Sequence, residues 1–158
     1  MLMSFDLKNL KEDYDELEKK YKIPSFKEMN EEFEIEKIDK KSDCLMRIVR
    51  KVMMEKIINS LNFLEIFLNP ANAPRIYFGY LKSMSLDDKQ IIEDMYGKIG
   101  ELSLKSLSME IGYDEKKEAE MVKEAFLLWN SLKPKFSKII HNVRNPGQVN
   151  NKEKSYFG

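Results

Sequence analysis

Cysteine and histidine are the side chains most often recruited for nucleophilic and proton-transfer chemistry. This sequence has one of each, Cys44 and His141. A thiolate activated by an imidazole could carry acyl transfer if the fold brought the two together, but nothing in the local sequence places them side by side. Cys44 falls in the first turn of a predicted helix, where the positive end of the helix dipole lowers a thiol pKa. A small packing residue at a helix start is the expected role. His141 lies opposite the apolar stripe of Phe136, Ile139, Ile140 and Val143, which predicts a surface position. A di-metal carboxylate centre in a helical bundle needs Glu-x-x-His twice, and the residue three before His141 is Lys138. A Cys/His zinc site needs more ligands of both kinds than the chain has. The expectation is no catalytic residue, no metal and no cofactor, and an enzyme is the least favoured class.

Phosphate recognition has two candidate footholds. Gly97 and Gly100 frame a Gly-x-x-Gly segment of the kind that can clamp a nucleic-acid backbone. Its neighbours keep helical spacing and it follows no strand, so a close helix–helix contact or a kink is the expected role. Each glycine should cost a helix interior about 1 kcal/mol relative to alanine. The second foothold is basic: Arg47, Arg50 and Lys51 share one predicted helix face, and Lys135, Lys138 and Arg144 enrich the C-terminal segment. Cations at such spacing can contact phosphates. A pI near 6.6 is low for a nucleic-acid binder, so this is the alternative reading. Two more charges, Lys56 and Glu65, sit among apolar residues of the same helix. A snorkelling side chain or a structural ion pair is the expected explanation for both.

The chain carries 27 basic and 27 acidic side chains, but they are segregated. Residues 1–40 hold 8 basic and 12 acidic groups, and residues 41–82 hold 7 and 3. Residues 83–128 hold 6 and 11, and residues 129–158 hold 6 and 1. Alternating signs along the chain predict acidic and basic helices packed beside one another with complementary faces. Overall balance argues against a histone-like basic protein or an acidic tail protein.

The elements that must position these groups read as helices. Ser4 can cap a helix over 4–22, whose stripe of Leu7, Leu10, Tyr14, Leu17 and Tyr21 recurs in steps of three and four. That stripe is too short for a coiled coil by itself and is the predicted interaction surface. Ser25 with Glu28 forms a capping-box signal for a short helix. Residues 31–38 fit either a strand or a helix. Ser42 or Asp43 should cap a helix of about 25 residues ending at Asn69-Pro70. Its first half sets Leu45, Ile48, Val49 and Val52 against the basic face. Its second half is apolar on almost every side, as in a rod wrapped by its neighbours. An aromatic helix follows at about 74–83, and Ser85 caps another through about 105. Leu107, Met109, Ile111 and Tyr113 alternate as a strand would, and could pair with 31–38 in one small two-stranded ribbon. Asp114 caps a helix over 115–132, Pro134 interrupts it, and a last segment covers 135–144.

These readings combine into a mainly α fold. It is a single-domain bundle of five to seven helices over residues 1–145, with room for one minor ribbon, followed by a flexible polar tail at 146–158. No predicted helix is apolar enough to span a membrane, and no signal-peptide core or lipidation motif is legible. A lone cysteine excludes an intrachain disulfide and suits a reducing compartment, so the cytoplasm is expected. The expected function is non-catalytic and works through protein–protein contact, with self-association the leading form. Ten methionines supply adaptable apolar surface for it.

Overall fold

The computed structural model describes residues 2–39 and 44–147, with side chains from Leu7 onward. Among these residues there are six α-helices, three short 3-10 turns and no strand. The helices are α1 (Leu2–Tyr21), α2 (Phe26–Phe33), α3 (Leu45–Leu68), α4 (Phe78–Ser83), α5 (Leu86–Ser108) and α6 (Glu115–Arg144). The expected caps Ser42 and Asp43 and tail residues 148–158 lie outside the described residues. Helix α1 already includes Ser4, so that serine is not its cap.

Three of the local signals act as written. Ser25 accepts from the backbone N–H of Glu28 at 3.2 Å, and the Glu28 carboxylate accepts from the Ser25 N–H at 2.9 Å, closing a capping box on α2. The Ser85 hydroxyl accepts from the Asp88 N–H at 3.1 Å and starts α5. The Asp114 carboxylate accepts from the Lys117 N–H at 3.1 Å and starts α6. Each side chain satisfies a backbone donor that the first helical turn would otherwise leave orphaned.

Both segments of the expected ribbon are something else. Residues 31–33 complete α2, Glu34 turns left-handed at φ 52°, and Ile35–Lys37 form a 3-10 turn. That reversal buries Phe33 and Ile35 together, so their alternation with charges imitates a strand without being one. Helix α5 runs on to Ser108, and the next three residues make tight i→i−3 bonds from Met109 to Ser106, Glu110 to Leu107 and Ile111 to Ser108. Ile111 is 91% exposed, so the alternation there marks no buried face.

The expected break at Pro134 is also absent: α6 is one helix of 30 residues with the proline inside it. Leu132, Phe136 and Ile139 are all buried. The stripes on either side of Pro134 therefore share one face, and continuity of that face outweighs the roughly 3 kcal/mol that an interior proline costs.

The described chain forms two compact units, Met1–Ile57 with Leu102–Leu128, and Ile58–Glu101 with Trp129–Gly158. Helices α3, α5 and α6 each contribute a length to both. In the first unit, Leu10 and Tyr14 of α1 and Met29 and Phe33 of α2 are buried, as are Met46, Val49, Met53 and Ile57 of α3. The Tyr14 hydroxyl donates to the Pro24 carbonyl at 2.6 Å. In the second unit an aromatic cluster fills the interior. Phe67 meets Phe63, Tyr77 and Tyr80 edge-on at 5.1, 5.8 and 5.6 Å, and Phe136 packs against Trp129 at 5.9 Å.

Helix α3 is not sheathed on nearly all sides as its composition suggests. Glu55, Lys56, Ile58, Asn59, Asn62 and Glu65 are exposed. The Lys56 ammonium bonds the Glu32 carbonyl and sits 5.4 Å from the centre of the Phe33 ring. Glu65 lies beside the Tyr96 hydroxyl and raises its pKa. Both charges have found partners at the surface rather than in a core.

The candidate site is a buried ion network

Arg50 is the largest fully buried side chain among the described residues, at 2% exposure. It occupies α3 on the same face as Met46, Met53 and Ile57, which are also buried. Its partner Glu118 is 0% exposed and lies in the first turn of α6, on the stripe of Met121, Val122 and Ala125. The two meet directly, the Arg50 Nε donating to Glu118 Oε2 at 2.5 Å and Nη2 to Oε1 at 3.4 Å. The remaining Arg50 donors reach Ser106 Oγ at 2.6 Å, the Ser106 carbonyl at 3.3 Å and Glu110 Oε1 at 2.8 Å. An arginine has five N–H donors, and these five contacts engage every one.

Arg47, one turn earlier on α3, closes the other side. Its Nε donates to Glu118 Oε1 at 3.1 Å, and its Nη2 to the carbonyls of Met109 and Gly112 at 2.8 and 2.5 Å. Its guanidinium stacks 5.2 Å from the centre of the Tyr113 ring. Lys51 adds a more exposed contact to Glu110 at 3.4 Å. The 109–112 turn is thus fixed by Arg47, which takes two of the carbonyls a strand would have used.

The electrostatics follow. Burial by itself would lower the Arg50 pKa; its bonds to Glu118 and Glu110 outweigh that and raise it. The bond from Arg50 and then the one from Lys51 hold the Glu110 carboxyl below its ordinary 4.5. At the edge of the same unit, Glu115 is lowered by the Tyr21 hydroxyl at 2.6 Å and by Lys20 at 3.0 Å.

These contacts separate the three residues expected as one basic face at 47–51. Arg50 is interior, Arg47 is engaged on three oxygens, and only Lys51 stays largely in solvent. All five Arg50 donors are taken up inside the chain. The arrangement is a structural clamp. Lys135 and Lys138 line a cleft of the second unit instead, and Arg144 is exposed at the end of α6.

The expected interaction stripe on α1 is also mostly internal. Leu10 and Tyr14 are buried, Leu17 and Tyr21 are half-buried, and Leu7 is the exposed member at 39%. Cys44 is half-buried in the first unit, whereas His141 is exposed in the second, with Asn145 bonding its carbonyl at 3.0 Å. Gly97 and Gly100 lie inside α5, and a Cβ at either would meet nothing within 4 Å. The expected close helix contact is absent there, and nothing in the structure explains the two glycines. Among the described residues no group of three or more His, Cys, Asp or Glu side chains is placed to hold a metal ion, and no helix is long and apolar enough to cross a membrane.

Comparison with protein-family models, with curated proteins and with solved structures finds no match to this chain.

Proposed function

We propose that this chain is a non-catalytic, cytosolic helical-bundle protein that acts through protein–protein contact, and that its first partner is a second copy of itself. The observation that carries the reading is an apolar ridge at the end of α5. Leu104 and Leu107 stand one turn apart and are 69% and 67% exposed; Ile111, in the turn beyond, is 91% exposed. Three large aliphatic side chains this exposed within eight residues are unusual on a surface otherwise rich in charge. The ridge replaces the α1 stripe as the contact surface, because the middle of that stripe is engaged within its own unit.

A two-fold contact would use each side chain twice. Burying the exposed part of six such side chains contributes roughly 6–12 kcal/mol. Lost translational and rotational freedom costs about 4–15 kcal/mol. Only the favourable end of these ranges, a net of about 8 kcal/mol, reaches micromolar affinity, so the ridge supports a weak, concentration-dependent dimer rather than a permanent one. Light scattering at two concentrations tests it. The mass should rise toward twice the monomer at the higher concentration, and Leu104→Glu with Leu107→Glu should hold it at one. A wild-type chain that stays strictly monomeric at both would remove self-association.

A further inference from the structure

Helix α4, the start of α5 and the last third of α6 enclose a cleft of about 260 Å³ within the second unit. Its wall is apolar, from Ile91, Pro134 and Ile139. Its lining includes Tyr80, which is 0% exposed and whose hydroxyl has no hydrogen-bond partner among the described residues. Three other buried hydroxyls among the described residues are bonded: Tyr14 to Pro24, Ser83 to Gly79, and Ser106 to Arg50. A buried phenol left without an acceptor is expensive, so its exception marks a place where an acceptor is missing.

The groups around that hydroxyl define the acceptor. Tyr80 is pushed up to about 12, by burial first and by the Asp88 carboxylate second, so it is a proton donor at every physiological pH. The Asn142 carboxamide is near enough to pull the other way, but the two do not meet in hydrogen-bond geometry. Tyr80, Asp88 and Asn142 all line the cleft. Lys135 and Lys138, one turn apart on α6, add two positive charges. With Asp88 included, the lining carries a net charge of one positive, which one monoanion neutralises and a dianion would overshoot.

We propose that this cleft binds a small monocarboxylic acid with an apolar body, the carboxylate accepting from Tyr80 and facing Lys135 and Lys138 while the body lies against Ile91, Pro134 and Ile139. The size agrees. A cavity of about 150 Å³ holds benzene, so the larger space here takes a ring with a short acid chain. The site is independent of the α5 ridge and of the dimer proposed from it.

The test uses the full chain and 3-phenylpropanoate as probe, by titration calorimetry and by amide shifts. Saturable one-to-one binding is expected with a dissociation constant of about 1 mM or tighter, with shifts gathered on α4 and on α6 around Lys135 and Asn142. Tyr80→Phe keeps the ring and should weaken binding by about tenfold, the loss of one bond to a charged acceptor. Lys138→Gln, at an exposed position and without risk to the fold, should weaken it several-fold, and added salt should do the same. The neutral 3-phenylpropanol should bind clearly more weakly than the acid. No saturable binding by wild type would overturn the proposal; so would equal affinity for the alcohol, or binding by Tyr80→Phe and Lys138→Gln indistinguishable from wild type. A Tyr80→Phe chain that is more stable than wild type, with no probe bound by either, would identify the cleft as a solvent pocket only.

Discussion

Replacing Glu118 by alanine should be among the most damaging single changes this chain can suffer. The reasoning starts from burial. Glu118 is fully inside the first unit and answers two guanidinium groups at once, Arg47 on Oε1 and Arg50 mainly on Oε2. Removing it leaves Arg50 buried at 2% exposure with Glu110 and Ser106 as its remaining partners. Breaking a buried pair by deleting one partner costs about 3–5 kcal/mol, because the orphaned charge keeps its full desolvation penalty. Total stability for a domain is about 5–15 kcal/mol, so about a fifth of it or more should go. For a chain of this length each kcal/mol moves Tm by about 2–4 °C, which puts the drop at roughly 6–20 °C.

The decisive comparison is with Arg50→Leu and Glu118→Leu together. That double variant removes both charges and fills the space with apolar groups, so it should be clearly less destabilised than Glu118→Ala. Urea unfolding followed by helical circular dichroism at pH 7 gives both numbers. A Glu118→Ala chain within about 1 kcal/mol of wild type, against the expected 3–5, would refute the claim that the pair is interior. A double variant as unstable as the two singles added together would refute the claim that desolvation is what makes the single change costly.

Two further outcomes are expected. The Glu110 and Glu115 carboxyls sit below their ordinary 4.5 in the folded chain, so the stability they contribute is present above that value and is lost as pH falls through the folded pKa values. The urea midpoint should therefore decline below about pH 4.5, and Glu110→Gln with Glu115→Gln should flatten that decline; an unchanged slope would count against both contacts. Pro134→Ala should restore an amide N–H within α6 and relieve the clash with the preceding turn, raising stability by about 1–3 kcal/mol; a loss instead would mean that the helix depends on the proline.

Signals that act within a turn or two of chain were legible in the sequence. Ser25 with Glu28, Ser85 and Asp114 each name a helix start, because a cap bonds a donor two or three residues away and needs no tertiary partner. Alternation over five to seven residues was misleading at 31–38 and 107–113. A left-handed Glu34 turns two successive apolar residues inward, and the 109–112 turn is held by Arg47 from a distant helix. Neither cause lies within the segment itself. The buried pair was visible in principle. Arg50 shares a face with Met46, Met53 and Ile57, and Glu118 shares one with Met121, Val122 and Ala125. Each is a charge at an apolar position of its helix, and the two are opposite in sign. Grouping Arg50 with Arg47 and Lys51 as a solvent face hid it. The cleft beside Tyr80 was not visible, since it depends on how α4, α5 and α6 meet in the second unit.

The segregation of charge along the chain acquires a structural meaning from the same contacts. The basic stretch at 41–82 supplies Arg47 and Arg50, and the acidic stretch at 83–128 supplies Glu110 and Glu118, so opposite signs meet inside the first unit rather than only across wet surfaces. One guanidinium, Arg50, reads three points of the chain at once: Ser106 near the end of α5, Glu110 in the turn and Glu118 in α6. Such a fork is sensitive to register in a way that apolar packing is not. If α6 slid by one residue, Lys117 or Ala119 would face Arg50, giving a like charge or no acceptor. If it slid by a full turn, Val122 could take the place of Glu118 and leave the guanidinium unanswered in the interior. Methionine-rich neighbours such as Met46, Met53 and Met54 repack at little cost, so they discriminate poorly among these alternatives. Net stabilisation from a buried ion pair is small once desolvation is counted. Its effect lies in making every misregistered packing of α3 against α5 and α6 much worse than the correct one.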